Sequence, residues 1–301
     1  MGIHVDGYVA LAGLIVGFAV GTTGMGGGAL MTPILVLLFR VQPLAAVSSD
    51  LVASLVMKPF GAAVHVRSRT VQWRLAGWLV AGSVPSAFIG VLFLRALGNG
   101  RAVENVVSLA LGSVLLVAVA AMLMKARLDG RRRTDPDPIE NQALHVKRVA
   151  TLTVGAVTGF VVGITSVGSG SLVIACLLFL YPRLRGSQLV GTDLTQAIPM
   201  VGAAALAHVL FGDFHLGLTL SILAGSIPGV LAGSLLSARS ASLPLRAALG
   251  IVLLVSGLKL LNVPTPAVGA AFVVASAALL TVAAYRNRAW VWVKRSAVTP
   301  L

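Results

Sequence analysis

The sequence predicts an all-α, polytopic membrane protein made of two homologous, inverted repeats, and three observations carry that prediction. Hydrophobic residues make up 57% of the 301 and charged residues only 11%, against about a quarter charged in a soluble domain. The apolar residues fall in runs of roughly 20, enough to cross about 30 Å of hydrocarbon as a helix. Two glycine-broken stretches, residues 17–30 and 159–172, align without a gap, so the chain repeats itself.

The first element is residues 8–39, interrupted by Thr22-Thr-Gly-Met-Gly-Gly-Gly28. As one helix it would be about 48 Å long, too long for a single crossing. No Lys or Arg precedes it, so it lacks the charged start of a cleavable signal and is expected to be retained. Uninterrupted spans follow at about 45–65, 75–96 and 103–124, completing a first repeat over 1–124. Residues 125–148, with their charge and Asp-Pro pairs, read as an exposed basic linker. The second repeat, 149–261, places its own broken segment before spans at about 187–210, 216–237 and 245–261. Residues 262–301 hold an extra span at about 267–285 and a basic tail.

The register of the repeat extends well beyond glycine. At an offset of 142 Gly17, Gly21, Gly26 and Gly28 meet Gly159, Gly163, Gly168 and Gly170. At an offset of 143 Asp50 meets Asp193, Met57 meets Met200, His65 meets His208, and Ser83 and Pro85 meet Ser226 and Pro228. Glycines coincide by chance in apolar sequence; aspartate, histidine and Ser-x-Pro in one register do not.

Charge sets the expected topology. The net charge of +14 sits mostly between spans, where cationic loops mark the cytoplasmic side; it is not a nucleic-acid surface. If each broken segment crossed once, Arg40, Arg95, Arg101, Arg183, Arg185, Arg239, Arg246 and the tail cations would lie outside. If each is a re-entrant hairpin, only Arg40, Arg95 and Arg101 do. The hairpins are therefore expected, with the linker and C-terminus cytoplasmic. A hairpin plus three spans is an odd number of crossings, so the second half is inverted, a common construction of secondary transporters.

Four groups of residues are candidates for chemistry. Thr22, Thr23, Gly24, Gly26, Gly27 and Gly28, with Thr165, Ser166, Gly168, Ser169, Gly170 and Ser171, combine close backbone approach with hydroxyl donors, which suits an anion at helix N-termini. The alternative is tight helix packing through small residues. Asp50 and Asp193 are carboxylates in apolar runs, which function or a helix cap explains, Ser48, Ser49 and Thr192 sharing the capping role. Lys58, whose repeat mate is Val201, reads as a salt-bridge partner, an anion contact or a snorkelling side chain. His65 and His208 relay protons or sit at interfaces as structural histidines. The Ser-x-Pro pairs read as kinks, the hydroxyl satisfying freed backbone groups. Cys176, alone, forms no disulfide within the chain and reads as packing.

With its opening G-F-x-x-G-x-x-G-x-G-G-G, Pro33 following, Ser-Ser-Asp at 48–50 and the tandem second copy, the chain resembles the sulfite exporter TauE/SafE family (DUF81) over nearly its whole length. The resemblance implies transport of small sulfur-containing anions such as sulfite, sulfoacetate or related organosulfonates across the plasma or inner membrane, coupled to an ion gradient with a proton as the expected ion. It implies no enzyme, cofactor or metal; membrane lipid is a partner and homo-oligomerisation is left open. The second patch departs from the first, with Ser169 at the place of Gly27 and Ala175 at that of Pro33, so an asymmetric pocket is expected. Two other classes were weighed. A cation or metal permease would want more clustered carboxylate, imidazole or thiolate. An intramembrane serine hydrolase would use Ser169 with His208, and gives no reason for the repeat.

Overall fold

A computed structural model of the protein describes residues 6–23, 28–98, 100–132, 146–182, 184, 186–212, 214–237 and 243–277. Eleven helices are present among them. These are α1 (Gly7–Thr23), α2 (Gly28–Leu37), α3 (Pro43–Arg67), α4 (Trp73–Ala96), α5 (Arg101–Arg132), α6 (Arg148–Thr165), α7 (Ser171–Leu180), α8 (Gly186–Phe211), α9 (Leu216–Ser237) and α10 (Leu243–Leu260), followed by α11 (Thr265–Ala277). Six of them, α3, α4, α5, α6, α8 and α9, are long and apolar enough to cross a membrane.

Both broken segments contain a longer helix followed by a helix of 10 residues, and in the second a non-helical stretch, Ser166 to Gly170, separates them. The three spans expected after the first break and the first two after the second are present with ends shifted by a few residues, while the third after the second break is the helix α10, which is not among the six. α5 departs most, running helical to Arg132, eight residues into the stretch expected as linker. The rest of the linker from 133 to 145, Arg183, Arg185, Arg239, the second half of the extra span and the tail cations lie outside the described residues.

Glycine sets how the helices pair. A Cβ built on Gly225, Gly229 or Gly233 of α9 would overlap the carbonyl oxygen of Ala10, Leu14 or Phe18 of α1 in turn. Residue numbers rise together along both helices, so α1 and α9 lie parallel with their backbones in contact. Gly155, Gly159 and Gly163 of α6 meet the carbonyls of Leu79, Ser83 and Ala87 of α4 in the same way. Without a hydrophobic drive between helices in lipid, such close approach through small residues is what holds them. Gly17, Gly159 and Gly163, which the sequence showed only as repeat matches, lie at these close contacts.

α3 and α8 cross the centre side by side in opposite directions. Ser48 reaches His208 at 2.8 Å near one end, and Gly61 faces Leu194 toward the other. Arg95 at the end of α4 lies 4.5 Å over the ring of Phe211 at the end of α8, so these two ends share one face of the bundle. α2 packs on α3 and α10, and α7 on α8 and α5. The core is apolar and continuous through Met31, Leu35, Leu51, Leu111, Met200 and Ile222. Leu11, Ile15, Phe60, Val64 and Leu206 point outward, as lipid-facing side chains must on a bundle in hydrocarbon.

Candidate functional site

The second break lies against the start of α2. α6 stops because Ser166 turns left-handed at φ 58°, and Gly168 and Gly170 follow at φ 123° and 111°, a region open to glycine at little cost. Thr165 ties the turn together, bonding Val161 O at 2.7 Å and Val167 O at 3.0 Å. Gly28, which opens α2, lies so close that a Cβ there would overlap the Ser166 carbonyl. Thus the N-terminus of α2 abuts the second break, and α7 begins five residues after that same serine. Both short helices point partial positive charge and first-turn N–H groups toward this region.

α3 supplies the charged groups. Asp50, fully buried, accepts on Oδ2 from Thr32 Oγ1 at 2.8 Å and from Ser166 Oγ. Thr32 and Ser166 also lie 3.1 Å apart, so one carboxylate oxygen joins α2, α3 and the second break. Two turns on, Lys58 is 7% exposed and its Nζ donates to Ser169 Oγ at 2.8 Å. A buried lysine anchored on the broken helix is not a snorkelling one. Pro59 directly after it removes one helical N–H, leaving a backbone carbonyl available along this wall.

Asp193 on α8 has a different setting. Gln196 donates to its Oδ1 at 3.2 Å and accepts from Ser83 Oγ at 3.3 Å, so an amide bridges carboxylate and hydroxyl. Neither aspartate is a helix cap: each is the eighth residue of its helix. α3 and α8 start earlier than the apolar runs suggested, Pro43 serving α3 at its first turn, where proline is favoured. Nor does the Ser83 hydroxyl bond its own backbone; it goes across to α8.

The histidines also diverge. His208 is fully buried, its Nε2 2.8 Å from Gly163 O and its Nδ1 2.8 Å from Ser48 Oγ. A carbonyl only accepts, so Nε2 carries a proton. His208 thereby ties α8 to the end of α6 just before the break and to α3, and is not interfacial. Engaged this way it forms no dyad with Ser169, whose partner is Lys58. His65 is partly exposed, bonded to Thr70 at 3.0 Å and packed on Gly191.

Of the other expected site residues, Thr22 bonds Ala19 O within its own helix at 2.9 Å. Gly24, Gly26 and Gly27 and the side chains of Thr23 and Ser171 lie outside the described residues. The structure adds Thr32, Ser48 and Gln196 to this hydrogen-bonded network; the sequence reading had Ser48 only as a cap and did not single out the other two. Thr32 and Gln196 are hydrogen-bonding side chains inside apolar runs, and that is the signal that singles them out. Among the described residues, no three His, Cys, Asp or Glu side chains come together as a metal site would need.

A sequence profile described as sulfite exporter TauE/SafE matches residues 9–260, covering both breaks and every residue just described. The chain belongs to this family. It is 41% identical over 255 residues to the "Probable membrane transporter protein YjnA" of Bacillus subtilis (strain 168), covering 84% of this chain and 98% of that one. It is 26% identical over 229 residues to a "Probable membrane transporter protein" of Xylella fastidiosa (strain Temecula1 / ATCC 700964), covering 76% of this chain and 83% of the relative. A second Bacillus subtilis protein, "Probable membrane transporter protein YdhB", is 22% identical over 254 residues, covering 84% and 99%. No solved structure matches the chain. As a TauE/SafE protein it is a multi-pass membrane transporter, and the family match ends before α11.

Proposed function

We propose that this TauE/SafE protein is a secondary transporter of small sulfur-containing anions, sulfite, sulfoacetate or a related organosulfonate, driven by an ion gradient. The observation that carries the reading is Lys58, a buried ammonium held at 2.8 Å on Ser169 inside a broken helix. A sulfonate or sulfite oxygen replacing the Ser169 contact would gain a charge-assisted hydrogen bond in a water-poor setting. First-turn N–H groups of α7 and hydroxyls of the second break would supply further donors.

Helix directions support two inverted halves. α9 runs with α1, and α8 runs against α9, to which residues 212–215 join it. α3 runs against α8, hence with α1. α4 turns back from α3 through residues 68–72, and α6 runs with α4, hence against α1. Since α1 and α3 run the same way, α2 has to return the chain to its starting face, which is the re-entrant hairpin. The same steps apply to α6, α7 and α8. In this reading each half brings a hairpin toward the midplane from an opposite side.

The charges suggest how coupling arises. With Asp50 and Asp193 both ionised, two carboxylates oppose one ammonium and the field at Lys58 repels a second anion. Neutralising Asp50 with a cation removes that opposition, so anion and cation bind together. Uptake of labelled sulfite, sulfoacetate and thiosulfate into proteoliposomes, with and without an imposed ion gradient, tests this. Gradient-dependent flux of at least one is expected, and flux of none would end the substrate proposal.

A further inference from the structure

We infer that Asp50, Ser54 and Ser226, with Ser49 beside them, form a sodium-binding site distinct from the anion contact at Lys58. This rests on the reading of Asp50 as the coupling carboxylate. The starting observation is an imbalance between the halves. At an offset of 143, Asp50, Ala53 and Ser226 stand where Asp193, Gln196 and Ser83 stand. In the second set the Gln196 amide satisfies both neighbours. In the first set alanine has no amide to offer. Among the described residues Asp50 Oδ1 and Ser226 Oγ have no hydrogen-bond partner, and neither do Ser49 Oγ and Ser54 Oγ. All four side chains are at most 3% exposed, and α9, which carries Ser226, packs on α3.

The hydroxyls sharpen the choice of guest. A serine or threonine in a membrane helix can donate to the carbonyl four residues back, and several of the described ones do. Ser48 bonds Leu44 O, Ser86 bonds Gly82 O, Thr158 bonds Val154 O and Ser221 bonds Gly217 O, all at 2.7–2.8 Å. Ser49, Ser54 and Ser226 forgo that bond, although an unsatisfied buried hydroxyl costs roughly as much as a lost hydrogen bond. Buried oxygens left with free lone pairs on α3, which carries Asp50, and on α9, which packs against it, suit a hard cation with oxygen ligands. One carboxylate balances a single positive charge, so a divalent ion would leave an excess charge buried. A proton on Asp50 would neutralise the carboxylate but cannot engage three hydroxyls. A sodium ion does both, and by neutralising Asp50 it reduces the negative field opposing an anion at Lys58.

Radiolabelled sodium binding to the purified full-length protein, in choline at constant ionic strength, tests the site without any assumption about the anion. Wild type is expected to bind sodium saturably, Asp50→Asn to lose it, and Ala53→Gln, which supplies the amide of the second half, to weaken it by at least about tenfold. Ser54→Ala, a smaller change, covers the case in which the buried glutamine does not fold. The site is overturned if wild type shows no saturable binding, if Asp50→Asn and Ser54→Ala both bind like wild type, or if a pH gradient alone drives flux indifferent to sodium. Sodium binding that persists while none of the three anions moves sinks the substrate reading and supports the site.

Discussion

Replacing Lys58 by methionine tests the anion contact most directly. Methionine keeps an unbranched side chain of similar length in a place that is 7% exposed, so packing is largely preserved while the charge goes. A hydrogen bond to a charged group contributes about 1.5–3 kcal/mol, so losing it should weaken the apparent affinity for sulfite roughly 10- to 150-fold. Ser169→Ala keeps the charge and removes only the anchor 2.8 Å from Nζ; about 1 kcal/mol, near fivefold, is expected. The order of the two effects matters more than either size. Initial rates of labelled sulfite uptake against concentration, on proteoliposomes whose protein elutes as wild type in gel filtration, give both values. If Lys58→Met transports with unchanged affinity, or if Ser169→Ala is the more damaging, the ammonium is not the anion contact.

The glycine seams can be tested by stability. Gly225→Ala would push α9 off the Ala10 carbonyl and should lower the melting temperature in detergent by several degrees, whereas Gly77→Ala, with open space around it, should leave it level or higher. Gln196→Ala removes the bridge between Asp193 and Ser83, which should cost about 1–3 kcal/mol of stability; an unchanged denaturation midpoint would show that the bridge is not formed. Cysteines placed at Arg69 and Gly186 should label from one side of the membrane and cysteines at Arg40 and Arg101 from the other. Labelling of Arg69 and Gly186 from opposite sides would remove the inverted arrangement.

Much of the fold was legible because it depends on local composition. Apolar runs of spanning length set the helices, and no residue interrupts them strongly enough to be missed. Helix ends were less legible. The aspartates looked like caps because they lie near the starts of the apolar runs, yet α3 begins at Pro43 and α8 at Gly186, a full two turns before either carboxylate. The glycines were ambiguous in a way that sequence does not resolve: Gly159 and Gly163 carry helix contact, Gly168 and Gly170 carry the break, and all four belong to one motif.

The sequence by itself determined that the chain crosses a membrane many times, that two broken segments recur in register, and which polar residues stand alone in apolar surroundings. Those follow from the cost of placing polar groups in hydrocarbon, which is paid residue by residue. Only the tertiary structure decided partners. Asp50 and Ser166 are 116 residues apart, Lys58 and Ser169 are 111, and both pairs bridge the two halves. The unequal roles of Asp50 and Asp193 were equally out of reach, because equivalent carboxylates become different groups once one faces an amide and the other faces hydroxyls.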